Sequence, residues 1–376
     1  MMKKLTALLL TVALLCACFS VAAADKKQIN YTEDDHKKST GARPASVENN
    51  PVIEGEDPVT GLPLANDEPY TPILVVLDGS EQAFPHWGVG SATAIFQVPN
   101  MSMGNNKLLA LFSSEYPHLA GGSRSSRMVS LPVTNCFGAA FVAAGTPVAT
   151  RDQTDVRHWL KEWNLNADGK WYNLLSGGSL VERTDLVPSP ANLLVHVDEI
   201  HQELISKGVA FEKRPFLFAD EPLTRGDDAT VIEMRFYENM NKTYNRASHC
   251  TFYYDPALGV YQRVSIMGKG SNEVEDFNYD RISGDTLCFA NVIVLRLQFK
   301  YISEPEGGGF YHIVDNFAGG GVAEIFQSGK YIRGSWYRDG VFGRLILLDD
   351  EGNELKLQRG VSYFVLNDYR AVISYE

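Results

Sequence analysis

The sequence predicts an α+β protein in which an N-terminal mixed α/β domain precedes a mostly antiparallel β domain. The first half contains a continuous apolar run, Ile73–Leu77, which is typical of a strand buried on both faces. The second half contains short alternating stretches separated by turn residues, a pattern typical of antiparallel sheets. A chain of 376 residues with 44% hydrophobic residues can build two cores.

The N-terminal domain is predicted over residues 70–216. Its strands are predicted at Ile73–Leu77, Ala94–Val98, Leu108–Phe112 and Ala139–Ala143, and its helices at Asp155–Trp163 and Asn192–Lys207. In the second helix, Leu193, Val197, Ile200 and Leu204 recur at spacings of three and four, as on one helix face. Ser189-Pro190 before it and Gly208 after it are typical helix boundaries.

The C-terminal domain is predicted over residues 230–376, after a linker at 217–229 that is rich in turn residues. Its β-strands are predicted at Thr230–Tyr237, Cys250–Tyr254, Val260–Met267, Asn291–Phe299, Gly321–Gln327, Tyr331–Tyr337, Arg344–Leu348, Glu354–Gln358 and Ser362–Leu366. Such a series of short strands predicts a sandwich or a curled sheet.

The N-terminus has the layout of a signal peptide over residues 1–24. Lys3 and Lys4 precede the apolar run Leu5–Leu15, which is too short for a membrane span, and small residues follow. Two cleavage sites fit. Cleavage before Cys18 would give a lipidated N-terminus, whereas cleavage after Ala24 would release an unmodified chain. The protein is therefore expected outside the cytoplasm, either as a membrane-anchored lipoprotein or as a secreted or periplasmic protein, with residues 25–69 as a disordered leash.

The charge of the chain limits its partners. The formal net charge is -12, and the chain has no basic run, so nucleic-acid binding is not expected. Contact with a membrane is expected only through a lipid on Cys18, while a cell-wall component or an envelope protein is the expected partner. Outside the leader the chain has three cysteines, Cys136, Cys250 and Cys288, and buried free thiols are the favoured interpretation. The alternative is a Cys250–Cys288 disulfide, which requires that their strands are neighbours.

No catalytic, metal or cofactor motif is recognisable. The chain lacks Cys-x-x-Cys, His-Glu-x-x-His and Gly-x-Ser-x-Gly, and its glycine runs lack the lysine of a phosphate loop. His196 and His201 are five residues apart, which would put them on different faces of a helix. We therefore predict no metal site and no cofactor, and the catalytic residues of any enzyme activity remain unassigned.

The segment Gly121–Arg127 is the main candidate for ligand binding. If a helix begins near Ser123, its free N–H groups together with Arg124 and Arg127 can hold a carboxylate or phosphate. In the alternative interpretation, both arginines pair with carboxylates and only stabilise the fold. A second, weaker candidate is a sugar-binding groove, for which aromatic side chains are available at Trp163, Trp171, Tyr172, Trp336 and Tyr337.

Over residues 57–370 the chain resembles the YerB-like bacterial lipoproteins, a two-domain family. The resemblance rests on Asp57–Leu64, Leu108–Phe112, Arg124 and Arg127, Tyr254-Asp255, Tyr261-Gln262-Arg263, Asn291–Val294, Gly334-Ser335-Trp336, Asp350–Leu355 and Gly360. It implies an envelope lipoprotein with no assigned reaction. The chain keeps Arg124, Arg127 and Asn192 of the family pattern, and this adds Asn192 to Ser123, Arg124 and Arg127 as candidate ligand-binding residues.

The chain departs from the family pattern at several polar positions. Thr93 and Gln97 replace acidic residues, Asn106-Lys107 replaces Thr-Arg, and Ala191 and the region of Ala143 lack family histidines. Because ionisable groups are lost, the resemblance favours a non-enzymatic binding or accessory module over an enzyme. The alternative hypothesis is an envelope hydrolase that acts on peptidoglycan or peptide and holds an anionic group at Arg124 and Arg127.

Overall fold

The computed structural model describes residues 26–64, 67–100, 106–147, 149–236, 249–267, 274–304 and 311–376. Four α-helices lie within these residues, namely α1 (Glu33–Thr40), α2 (Leu131–Phe137), α3 (Val156–Glu162) and α4 (Val197–Ser206). None of the helices in the described part is long and apolar enough to span a bilayer.

The described residues also contain 25 strands, so strands outnumber helices and the predicted fold class is confirmed. They are β1 (Lys27–Ile29), β2 (Ile73–Asp78), β3 (Ala94–Pro99), β4 (Asn106–Phe112), β5 (Ala120–Gly121), β6 (Ala140–Ala143), β7 (Trp171–Asn173), β8 (Val181–Arg183), β9 (Leu193–Val195), β10 (Leu217–Ala219), β11 (Asp227–Asp228), β12 (Val231–Met234), β13 (Cys250–Asp255), β14 (Val260–Met267), β15 (Val274–Phe277), β16 (Cys288–Phe289), β17 (Asn291–Leu297), β18 (Lys300–Ser303), β19 (Tyr311–Val314), β20 (Gly319–Gln327), β21 (Lys330–Arg338), β22 (Ile346–Leu348), β23 (Lys356–Gln358), β24 (Ser362–Asp368) and β25 (Ile373–Tyr375).

A large mixed sheet lies at the centre of the molecule and combines strands from both halves of the chain. Its strand order is β11-β21-β20-β17-β24-β3-β4-β2-β6-β7, with β22 added to β21. The halves meet where β24 pairs in parallel with β3, Ser362 lying opposite Ala94. The N-terminal part of the sheet is mixed, as predicted. The domain boundaries at 216 and 230 remain a prediction, because the two halves share this sheet.

The second sheet is antiparallel and formed mainly by the C-terminal half. Its order is β1-β25-β12-β13-β14-β15, with β16 also pairing with β14. Side chains of β2 alternate between two cores, since Leu74 and Val76 belong to one apolar cluster and Val75 to the other. The second cluster also contains Phe252 of β13, so the second sheet packs on one face of the central sheet.

The structure differs from the predicted leash over residues 26–64. β1 pairs with β25 near the chain end, and α1 packs against β20. A capping box explains why α1 begins where it does, because Thr32 and Asp35 satisfy each other's backbone N–H groups. His36 on this helix is buried and stacks on Tyr369 with ring centroids 5.1 Å apart. Because this segment is mostly polar, its sequence did not indicate these few contacts with the folded domains.

The predicted helix Asn192–Lys207 is shorter than expected. Its first turn is replaced by strand β9, which pairs with β5 and β8, and α4 begins only at Val197. Leu193, Leu194 and Val195 are all buried, and so they fit a strand enclosed on both faces as well as a helix. The helix ends as predicted, with Gly208 at a φ of 65° directly after it.

Candidate functional site

Polar and charged side chains meet at one edge of the central sheet. β2, β3, β6 and β24 run in the same direction, and β4 runs antiparallel between β2 and β3. The carboxyl ends of the four strands therefore lie beside the amino end of β4. Asp78 ends β2, while Asn106 and Lys107 begin β4. Carboxyl ends of parallel strands are the usual location of ligand sites in such sheets.

The segment that contains Arg124 and Arg127 runs across this edge. Arg124 N donates to Val76 O of β2 at 3.0 Å, and Ala144 N, directly after β6, donates to Arg124 O at 2.9 Å. The condition that a helix begins near Ser123 is not met, because residues 122–127 form an irregular segment and α2 begins only at Leu131. No helix N-terminus therefore contributes to anion binding here.

We call Lys107, Arg124 and Arg127 the basic cluster. Arg124 Nε forms an ion pair with Asp78 Oδ2 at 2.9 Å, and its side chain is still 32% exposed. Arg127 Nη1 donates to Ser125 Oγ at 2.8 Å and to Ser126 O at 2.7 Å. The pairing with carboxylates that was the alternative interpretation thus applies to Arg124 only. Among the described residues, Arg127 has no carboxylate partner.

Lys107 is the most deeply buried member of the basic cluster, with 2% of its surface exposed. The pKa of Lys107 is lowered to about 7, mainly by burial and also by the charges of Arg124 and Arg127, against the opposite effect of Asp78. Burial, together with the nearby charge of Arg124, also lowers the pKa of Arg127 to about 10. Below about pH 7, where Lys107 is protonated, three cationic groups therefore lie close together, and within the described part of the chain only Arg124 is paired with a carboxylate, that of Asp78.

Several polar atoms at this edge have no hydrogen-bond partner within the described part of the chain. These buried atoms include Arg127 Nε and both side-chain polar atoms of Asn106. Because buried polar groups are normally satisfied, such atoms often mark a place where a ligand or water binds. The basic cluster therefore has both the charge and the free donors needed for an anion.

Two of the predicted ligand-binding residues form side-chain hydrogen bonds within the protein, and their role in ligand binding stays a prediction. Ser123 is buried, and its Oγ donates to Val76 O at 2.9 Å. Asn192 accepts a hydrogen bond from Arg183 Nη1 at 2.7 Å through its own Oδ1. Ser123 N does bond Leu193 O at 2.7 Å, so the two segments are neighbours, although their side chains are engaged elsewhere. Cys18, the predicted lipidation site, lies outside the described residues.

Sequence reasoning did not select Asp78 and Lys107 as site residues. Both flank strands that were predicted correctly, because Asp78 follows Leu77 and Lys107 precedes Leu108. A charged residue directly at the end of a fully buried strand was the signal that could have identified them.

The aromatic residues considered for a sugar-binding groove pack into the protein instead. Trp336 is 2% exposed and Trp163 is 8% exposed, and both belong to the main apolar cluster. Trp171 packs against the same cluster, Tyr172 joins the second cluster, and Tyr337 packs with Ile346. These residues do not form an exposed stacking surface.

The three cysteines in the described part of the chain are free thiols. Cys250 lies on β13 and Cys288 on β16, and both strands pair with β14. Because β14 separates them, a Cys250–Cys288 disulfide cannot form without moving a strand. Burial raises the pKa of both thiols, as it does for Cys136.

A separate cleft of about 420 Å³ lies between the N-terminal segment Gly88–Ala92 and the C-terminal segment 280–289. Glu115, Asp280 and Asp285 contribute carboxylates to its wall. Its charge is therefore opposite to that of the basic cluster, and it does not suit an anionic ligand.

Comparison with known proteins agrees with this architecture. A Bacillus subtilis (strain 168) protein named "Putative lipoprotein YerB" is 23% identical over 306 residues, which are 78% of this chain and 80% of that protein. The crystal structure of the YerB protein from Bacillus subtilis matches with a TM-score of 0.65 and 23% identity, covering 85% of this chain and 99% of that one. At this identity the match shows the shared fold.

Two family models match the chain, one in each half. Residues 59–210 match the N-terminal domain and residues 240–364 match the C-terminal domain of a protein of unknown function, DUF3048. The two models follow one another in the expected order and together cover most of the chain. The resemblance to the YerB-like proteins is thereby confirmed, and the chain belongs to the DUF3048 family.

Proposed function

We propose that this protein is an extracytoplasmic binding module of the cell envelope that holds an anionic group of a wall component or partner protein. Lys107, Arg124 and Arg127 bind that group at the carboxyl edge of the central sheet. The observation that carries the proposal is the excess of basic groups in a largely buried site, where Lys107, Arg124 and Arg127 lie near one carboxylate of the described residues, that of Asp78. Burial of unpaired charge is unfavourable, and a bound anion removes this penalty.

The exposure of Arg124 supports access from solvent. Its Nε pairs with Asp78 Oδ2, while about a third of the side chain is exposed. A carboxylate or phosphate oxygen arriving from solvent meets Arg124 first and then reaches the more buried Arg127 and Lys107. Charge-assisted hydrogen bonds of this kind contribute about 1.5–3 kcal/mol each.

The compartment is the second part of the proposal. The signal-peptide layout and the family relative named as a lipoprotein both favour attachment of a lipid to Cys18. Mass spectrometry of the mature N-terminus distinguishes the two cleavage sites. A diacylated Cys18 supports a tethered protein, whereas an unmodified Asp25 at the N-terminus shows release.

Sulfate titration tests the anion site directly, because the charge of sulfate is constant near neutral pH. In calorimetry with purified full-length protein, we expect Lys107→Met and Arg127→Gln to weaken sulfate binding at least tenfold, about 1.4 kcal/mol. Arg157→Gln is the matched control, because Arg157 is an exposed arginine on α3 that is paired with Asp155. Parallel titrations with phosphate and acetate show whether the site prefers a phosphate or a carboxylate.

Two results would contradict the anion site. One is equal sulfate affinity in the wild type, Lys107→Met and Arg127→Gln. The other is a sulfate affinity that does not rise as pH falls through about 7, where Lys107 becomes protonated. Thermal unfolding of each variant confirms that it is folded, so a loss of binding can be assigned to the site.

A hydrolase is the second candidate, and one observation favours it. A lysine whose pKa is near 7 can act as a general base at neutral pH. Within the described residues, however, no hydroxyl or thiol is hydrogen-bonded to Lys107, so a nucleophile is not assigned. Hydrolysis of wall fragments that is lost in Lys107→Met would favour the enzyme.

A further inference from the structure

A second group of functional side chains lies where the loop after β4 meets the start of α4. His118, His196 and Glu199 each offer one ligand atom, and these atoms all lie within 4.8 Å of one another. The group is separate from the basic cluster, and no motif in the sequence marks it. We infer that it binds one divalent transition-metal ion, with Zn²⁺ as the best match.

Local structure holds the three residues together. His196 directly precedes α4, and its N donates to Leu180 O at 2.9 Å, while Glu199 lies in the first turn of that helix. Asp198 N donates to Pro117 O at 3.3 Å, which brings the loop carrying His118 to the same turn. The two histidine rings stack with centroids 4.4 Å apart and planes 26° apart.

His196 contributes a buried nitrogen that has no hydrogen bond. The residue is only 9% exposed, and its Nε2 has no hydrogen-bond partner in the described part of the chain. Glu182 Oε2 is 3.8 Å from this nitrogen, which is too far for a hydrogen bond. An unsatisfied buried nitrogen is unfavourable, and coordination of a metal would satisfy it. Glu199 Oε1 lies 3.2 Å from the other ring nitrogen, Nδ1, so the Glu199 side chain must move towards Nε2 when a metal binds there.

The charges around the histidines favour a cation. Glu182, Asp198 and Glu199 place three carboxylates beside the two imidazoles. The N-terminus of α4 has a partial positive charge of about half a unit, which is smaller than the charge of these three groups. His118 Nδ1 also lies 3.1 Å from Asp198 Oδ2, a contact of the type that orients metal-bound histidines.

The ligand types select the metal. Two imidazoles with one carboxylate suit Zn²⁺ and similar ions, whereas Mg²⁺ and Ca²⁺ prefer oxygen ligands only. Zinc ligands lie about 2.0–2.2 Å from the ion, so the group must contract when the metal binds. The side chains of His118 and Glu199 are 59% and 44% exposed, and both can move towards the buried His196. A solvent-facing position then stays available for a further ligand.

Isothermal titration of untagged, purified full-length protein with ZnCl₂ tests this inference. We expect about one Zn²⁺ per chain, no comparable binding of Mg²⁺, and at least roughly tenfold weaker Zn²⁺ binding in His118→Ala and Glu199→Gln. Asp198→Asn should weaken binding by roughly tenfold through its effect on His118. His158→Ala is the matched control, because it removes a histidine on α3 outside the group.

The inference is overturned if the wild type binds no Zn²⁺, or if His118→Ala binds Zn²⁺ as tightly as the wild type. The second result would mean that other residues, such as leader cysteines, bind the metal, and that the stacked histidines only form hydrogen bonds with carboxylates. His118 is exposed, so its variant is expected to fold. X-ray absorption of the zinc complex should show two imidazole ligands, and their absence would also contradict the inference.

Discussion

Arg296 and Glu324 form a completely buried ion pair between neighbouring strands β17 and β20. Arg296 Nε donates to Glu324 Oε1 at 2.9 Å, and both side chains have no exposed surface. The hydroxyls of Tyr331 and Tyr31 donate to the other carboxylate oxygen at 2.8 Å and 3.1 Å. Tyr31 lies just before α1, so its hydrogen bond to Glu324 connects the N-terminal segment to the central sheet.

Removal of one partner of this pair should strongly destabilise the protein. We expect Glu324→Ala to lower the free energy of unfolding by about 3–5 kcal/mol, because the buried charge of Arg296 is left without a partner. Tyr31→Phe removes one hydrogen bond and should lower it by about 1 kcal/mol. Urea denaturation measures both, with the exposed Glu33→Ala as a control that should change it by less than about 0.5 kcal/mol. A Glu324→Ala protein as stable as this control would contradict the prediction.

Lys107 should make stability depend on pH in a defined direction. Its ordinary pKa of 10.5 falls to about 7 in the folded protein, so the unfolded chain binds more protons between these values. The free energy of unfolding contributed by this group therefore rises with pH across that window, and the folded state is least favoured below about pH 7. Lys107→Met should be more stable than wild type at about pH 6, and this difference should shrink by about pH 9. Urea denaturation in buffers with weakly binding anions measures the difference in free energy of unfolding between this variant and the wild type. A difference that does not depend on pH would contradict the lowered pKa of Lys107.

Asp57 should stabilise the segment that leads into the N-terminal half of the fold. It is 1% exposed, and its Oδ1 accepts from Val59 N and Thr60 N at 2.9 Å and 2.8 Å, while Ser113 Oγ donates to Oδ2 at 2.7 Å. Hydrogen bonds to a charged group contribute about 1.5–3 kcal/mol, so Asp57→Ala should lower the free energy of unfolding by at least that amount. Thermal or urea unfolding measures the effect. The exposed Asp34→Ala serves as control, and equal stability of the two variants would rule out this role.

The three cysteines outside the leader should react in a defined order with a neutral maleimide. Cys136 and Cys250 are 1% and 3% exposed, whereas Cys288 is partly exposed. We expect Cys288 to be labelled first in the folded protein, and the other two only after addition of urea. Peptide mass spectrometry identifies each site, and Cys288→Ser should lose the early label. Detection of a Cys250–Cys288 disulfide under non-reducing conditions would contradict the separation of these residues by β14.

Most strands could be predicted from the sequence because each is defined by local properties. The run Ile73–Leu77 is apolar at every position, and alternation in Tyr331–Tyr337 is equally clear. The start of α4 could not be predicted, since Leu193–Val195 fits a strand and a buried helix turn equally well. Tertiary pairing with β5 and β8 decided between them.

The candidate site could be predicted only in part. Arg124 and Arg127 were identified because glycine, serine and arginine occur together in one short segment. Lys107 and Asp78 were not, because they are 29 residues apart in the chain and become neighbours only when β2 and β4 pair. The group at His118 and His196 depends in the same way on contact between a loop and α4.

The sequence alone determined the fold class, the positions of most strands, the family resemblance and the prediction of export, because each depends on local composition or on motif order. Tertiary structure decided which half supplies each strand of the central sheet and which charges share one site. Local patterns indicate which apolar residues are buried, but the pairing of distant strands determines their neighbours and the burial of polar residues such as Lys107. The charge balance of the basic cluster is therefore a property of the fold.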